Sequence, residues 1–171
     1  MHGSNFLQAR LIISALACAA VPALSIAADV PAKSSTNPPN NVQIERGHYL
    51  VTIAGCNNCH TPNYIAKGGK VPAKDFLTGD KLGWRGPWGT TYPTNLRLYF
   101  SEITDVQWIQ VAKTIETSPP MPYFALNAMT RTDVLAIYEY IRSLGPAGEP
   151  APKSITTDKE PPQPYVQFPM K

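Results

Sequence analysis

Ala54-Gly55-Cys56-Asn57-Asn58-Cys59-His60 is the stretch on which the reading of this chain turns. Two cysteines three apart share one face of a helical turn, so both sulfurs can reach the two vinyl groups along one edge of a porphyrin. The histidine that follows is then directed at the iron as its proximal ligand. C-x-x-C-H is the attachment signature of c-type haem, and here it predicts one covalent haem c on Cys56 and Cys59, with His60 on the metal. A thioredoxin-like dithiol needs only the C-x-x-C and expects a βαβ setting, but the flanking sequence shows little strand alternation. A zinc site needs four ligands. Beyond the first thirty residues the chain offers two cysteines with His48 and His60, in a spacing that no common zinc module uses. A plain disulfide has no use for the histidine.

A haem that only carries electrons usually has methionine opposite histidine. Three methionines follow the motif, Met121, Met129 and Met170. Met121 sits in Ser118-Pro119-Pro120-Met121-Pro122-Tyr123, where flanking prolines hold an extended strap with little entropy left to lose. Met129 lies just before a helix start, a natural place for core packing, and Met170 is next to the C-terminus. Met121 is therefore the expected second axial ligand, with Met129, Met170, His48 or an open sixth position as the alternatives. His48 itself reads as an exposed polar residue on an amphipathic helix.

Upstream of the motif, Arg10 precedes the uncharged Leu11–Val21 run and the small residues Ala23 to Ala28. That is the order of a secretory signal, and eleven apolar residues are too few to span a bilayer. Ser25 and Ala27 place cleavage after Ala27, with Ala28 as the rival site. An uncleaved anchor and lipoprotein processing at Cys18 are the other readings. Residues 1–27 are thus expected to be a signal peptide and 28–41, rich in Pro, Ser and Asn, a flexible leader. The expectation is a periplasmic protein without stable membrane insertion.

From 42 onward the pattern is mostly helical. A first helix is expected over about Val42–Ala54, with Gly47 unusual in its middle. A second is signalled by the capping pair Thr104 and Gln107 and runs to about Thr117. A third starts near Thr130 or Thr132 and stops at Gly145-Pro146. Residues 61–100 show little regular structure. Such a loop can pack on a large apolar cofactor, and Trp84, Trp88, Tyr92 and Tyr99 give it aromatic surface with polar edges. Arg85 has two equal readings, a partner for a haem propionate or a surface loop residue. From Pro146 to Lys171 seven prolines recur. This Pro-rich tail is either disordered and polyproline-like or an extended arm lying on its own domain or on a partner.

Whole-chain arithmetic agrees with this picture. The 171 residues suit one domain, 42–145, plus a tail at 146–171. The formal charge of +3 falls to +2 once Arg10 leaves with the signal, and no strongly basic face argues for nucleic acid.

The order of helix, C-x-x-C-H, loop, methionine strap and closing helix resembles class I monohaem c-type cytochromes. Three further stretches are similar to the cytochrome c domains of membrane-bound alcohol and sugar-acid dehydrogenase complexes. They are Glu45-Arg46-Gly47-His48-Tyr49-Leu50 with Ala54-Gly55-Cys56; Gly89-Thr90-Thr91-Tyr92-Pro93-Thr94-Asn95; and Met121-Pro122-Tyr123 with Met129-Thr130. The resemblance implies a mostly α, cytochrome c-like fold of three to four helices around the haem. It implies a crossing of the first and last helices at Gly47 and Tyr49 against Ile137, Tyr138 and Ile141. It also implies that Met121, of the Met-Pro pair, binds the iron; Tyr92 and Asn95 of the matching stretch, with Trp88 of the aromatic loop, are the further residues expected around the cofactor. Those dehydrogenase subunits carry three haem motifs and this chain one, and Leu96-Arg97-Leu98-Tyr99-Phe100 replaces their acidic stretch after Asn95. The expected role is an electron carrier, not an enzyme, moving one electron between donor and acceptor redox proteins such as a dehydrogenase or a terminal oxidase. A subunit permanently bound to such an enzyme, and a haem enzyme or gas sensor with an open sixth site, are the alternatives.

Overall fold

The computed structural model describes residues 41–170. The expected signal peptide and all of the leader but Asn41 lie outside them. Asn41 opens helix α1, Asn41–Ile53, and the motif forms its own short helix α2, Cys56–His60. A hairpin of β1, Gly83–Gly86, and β2, Gly89–Thr91, precedes α3, Leu96–Glu102, and α4, Asp105–Thr114. The strap leads to α5, Tyr123–Ala128, then α6, Arg131–Leu144, and the chain closes with β3, Tyr165–Gln167. The described residues are mostly α, with six helices where three to four were expected, and carry a three-stranded sheet in the order β2-β1-β3.

The frame is the pair α1 and α6. Leu50 and Val51 from α1 share one buried core with Val134, Ala136, Ile137, Tyr140 and Ile141 from α6. Gly47 lies at their contact, where a Cβ would run into the Ala136 carbonyl and come within 2.6 Å of the Tyr140 Cβ. That close approach offsets the roughly 1 kcal/mol that glycine costs inside a helix. The aromatic at this contact is Tyr140 and not Tyr49. Tyr49 is exposed beneath the Arg46 guanidinium, while His48 sets its ring 5.1 Å from that of Tyr140. Arg46 also pairs with Asp133 at 2.9 Å, tying α1 to the first turn of α6.

The helix ends follow local chemistry. Thr104 and Gln107 form the reciprocal capping box, with bonds of 3.2 and 2.8 Å between each side chain and the other's backbone N–H. The Thr130 hydroxyl accepts from Asp133 N at 3.1 Å to start α6, and Gly145 ends it with φ of 70°. Arg97, buried on α3, donates to the carbonyls of Leu144 and Gly145 and, at 3.0 Å, to that of Lys74. It thereby occupies carbonyls that the last turn of α6 leaves without helical donors. Trp108 of α4 sits 4.6 Å from Phe100 of α3, ring to ring, and donates its N–H to Val134 O at 2.8 Å.

The tail takes the ordered alternative, an arm on its own domain. β3 pairs in parallel with β1, matching Trp84 with Val166, and Phe168 N donates to Arg85 O at 2.8 Å. Further back, Thr90 and Ile155 exchange both backbone bonds. The proline-rich composition still excludes helix, and the arm gains its order by borrowing the hairpin's edges.

Candidate functional site

α2 is fixed from several directions. Thr61, buried just after it, donates its hydroxyl to Asn57 Oδ1 at 2.6 Å and accepts from Leu77 N at 2.7 Å. Gly79 N donates to His60 O at 2.8 Å. His60 lies 2.8 Å through Nδ1 from Thr94 O. A carbonyl can only accept, so Nδ1 carries the proton and Nε2 keeps its lone pair free for a metal. Burial pushes the His60 pKa down, and the Thr94 bond offsets only part of that, so the ring stays neutral. Burial also pushes the Cys56 thiol up to about 11 and raises that of Cys59, where the Asp80 charge adds to it. The two cysteines are not joined to each other.

Cys56, Cys59 and His60 open on a cavity of about 510 Å³, a size within the usual range for cofactor pockets of about 300–1,000 Å³. The strap and α5 contribute to its lining, and both Met121 and Met129 are part of it. Its floor comes from Ile137 and Ile141 of α6 and Phe100 of α3. Trp84, Tyr92 and Tyr99 line it too, and the Trp84 Nε1 and Tyr92 hydroxyl are buried without a protein partner. Two unpaired buried donors on the wall of an otherwise apolar cavity fit a ligand that brings acceptors of its own.

The structure thus brings together Cys56, Cys59, His60, Met121 and Tyr92 among the expected site residues. Three others stand elsewhere. Arg85 donates to Lys159 O at 2.9 Å and pairs with Glu160 at 3.1 Å, held by the tail. Trp88 lies behind Trp84, donating to its carbonyl at 3.3 Å. Asn95 caps α3 by accepting from Leu98 N at 3.1 Å, and its amide donates to Ala147 O and Glu149 O. His48 and Met170 do not line the cavity either. Trp84 is the residue whose importance the sequence understated, since nothing in the local pattern separates it from Trp88. Among the described residues no group of three His, Cys, Asp or Glu side chains could hold a metal ion.

This chain is similar to the fructose dehydrogenase cytochrome subunit of Gluconobacter japonicus, at 31% identity over 135 residues. The match takes in 72% of this chain and only 25% of that subunit. The chain therefore spans about a quarter of the length of its relative. No protein-family model matches the chain, and no solved structure matches it. The likeness is to a cytochrome, which supports the reading of C-x-x-C-H as a haem motif. Among the described residues no helix is long and apolar enough to cross a membrane.

Proposed function

We propose that the chain is an exported, periplasmic c-type cytochrome that carries one electron on a single covalent haem between redox proteins. The observation that supports this most is that Cys56, Cys59, His60 and Met121 of the strap all line one apolar cavity, with the His60 ring oriented by Thr94 O. When bound, the haem supplies the one-electron couple of its iron. Cys56 and Cys59 would hold the porphyrin edge through thioethers. His60 would bind the metal through Nε2, its ring orientation set by Thr94 O. Met121 would bind from the far side, because the prolines around it keep its position with little further entropy cost. Trp84 and Tyr92 would donate to the cofactor's carboxylates, a charge-assisted use for two donors that the protein leaves unpaired. With His60 and Met121 both committed to the metal, no position would remain for a substrate, so the proposed role is carriage and not catalysis.

The test is the mass of the denatured, solvent-washed mature chain together with its visible spectrum. A chain heavier by one haem and without free thiols is expected. A bare-chain mass with two free thiols sinks the proposal. The weak far-red band of methionine bound to ferric iron should vanish in Met121→Ala and persist in Met129→Ala. The reverse outcome would assign the iron to Met129. Persistence of the band in both variants would exclude both. Ready binding of carbon monoxide to the native protein would instead favour an open sixth site.

A second reading is supported by the relative, which is a subunit of a dehydrogenase: this chain would be a fixed subunit of such a complex. Copurification with a dehydrogenase or oxidase after mild solubilisation separates it from a free carrier.

A further inference from the structure

The C-terminal arm and the cavity share one residue. Trp84 lines the cavity with its N–H buried and unpaired, and from β1 it pairs with Val166 of the arm. Phe168, two residues on, stands 6.1 Å from the Trp84 ring and 5.4 Å from that of Trp88, centroid to centroid. Trp88 in turn bonds the Trp84 carbonyl. The indole at the cavity wall is thus backed by an aromatic pair, half of it supplied by the arm. The arm is also fastened at separate points: Ile155 to Thr90, Glu160 to Arg85, and Phe168 N to Arg85 O. A tail that only had to be kept out of the way would not need anchors converging on the hairpin that carries Trp84.

We propose that the arm, through Phe168, is a positioning element for the cofactor, holding the Trp84 N–H against the cavity and keeping water from the carboxylate edge of the haem. This rests on the proposed haem site. Two effects of losing Phe168 have the same sign. A loosened Trp84 leaves a carboxylate charge less neutralised, and added water solvates the ferric state better than the ferrous. Both favour oxidised iron, so the reduction potential falls.

The experiment compares the native holoprotein with Phe168→Ala, Phe168→Tyr and Met170→Ala, reading the midpoint potential at fixed pH and the hydrogen exchange of the Trp84 indole N–H by NMR. In Phe168→Ala the reduction equilibrium should shift about tenfold toward the oxidised form, about 59 mV for one electron. The indole N–H should exchange on the order of tenfold faster as the wall opens locally. Phe168→Tyr keeps the ring and should behave as the native protein, as should Met170→Ala at the exposed end of the arm. If Phe168→Ala yields no folded protein, Phe168→Leu keeps most of the volume without the ring, and should move both quantities the same way. A native value of either quantity in the variant overturns the inference. If the native protein carries no covalent haem, the functional reading fails by itself, and the indole exchange still decides whether the arm holds Trp84.

Discussion

The two walls of the cavity are built on different principles. The His60 wall is a hydrogen-bonded construction: Thr61, Asn57, Leu77, Gly79 and Thr94 lock a five-residue helix that is too short to persist alone. The methionine wall is held by proline stiffness, apolar contact and short-range backbone bonds such as Tyr123 N to Met121 O at 2.9 Å, with side-chain ties toward its end. There Asn127 donates to Ala112 O at 2.9 Å and Ile115 O at 3.3 Å, and Lys113 reaches the carbonyls of Asn127 and Met129. A directional ligand needs its ring aimed, so its wall is over-determined. A thioether on three rotatable bonds can adapt, so its wall needs only to be near. The difference predicts that polar substitutions matter on one side and apolar shape on the other.

The largest effect expected is that of His60→Ala, which removes the proposed proximal ligand of the iron. Holoprotein with a native-like spectrum should be lost, as read by haem content after purification. Its retention would mean that the rigid wall serves something other than the iron. Next comes Thr61→Val. It leaves the buried Leu77 N without an acceptor and should cost about 1–3 kcal/mol in denaturant unfolding. The matched change on the adaptable wall, Asn127→Ala, takes donors away from the carbonyls of Ala112 on α4 and Ile115 just past its end, and should cost about 1 kcal/mol. Equal costs for the two would erase the contrast between the walls.

Legibility in the sequence divides along similar lines. The capping box of α4, the Thr130 start and the Gly145 stop of α6 are local signals, and each produces the expected feature. The glycine in the middle of α1 is explained by Ala136 and Tyr140, about ninety residues away. What escaped local reading depends on partners distant in the chain. β3 exists because β1 offers it an edge, and its Val166 meets a tryptophan some eighty residues earlier. α3 has only seven residues, and its signal was the Asn95 cap, overlooked because that asparagine was drawn into the cofactor's surroundings. Arg85 had two equal readings, a propionate partner or a surface loop residue, and its Glu160 and Lys159 contacts lie in the tail, where composition alone could not place them. The choice between Trp84 and Trp88 is likewise set by which ring ends up in front of the other.

The smallest effect on stability is expected where the methionine wall meets solvent. Residues 47–66 and 117–130 hold no Lys, Arg, Asp or Glu, and they include the cavity-lining Ala54, Gly55 and Cys56 on one side and Met121 and Pro122 on the other. Ile53 and Phe124 stand 60% and 69% exposed, each next in sequence to a residue of the cavity wall. An uncharged rim with exposed apolar side chains suits brief, partly desolvated docking more than long-range electrostatic steering. Phe124→Glu should leave unfolding free energy within about 0.5 kcal/mol, because the ring is already in water. It should nevertheless slow electron exchange with a redox partner, and the slowing should lessen little as salt is raised, since what is lost is apolar contact. A rate that instead recovers steeply with ionic strength would mean that charge governs docking, and would move the contact away from this rim toward the Lys67, Lys70 and Lys74 loop.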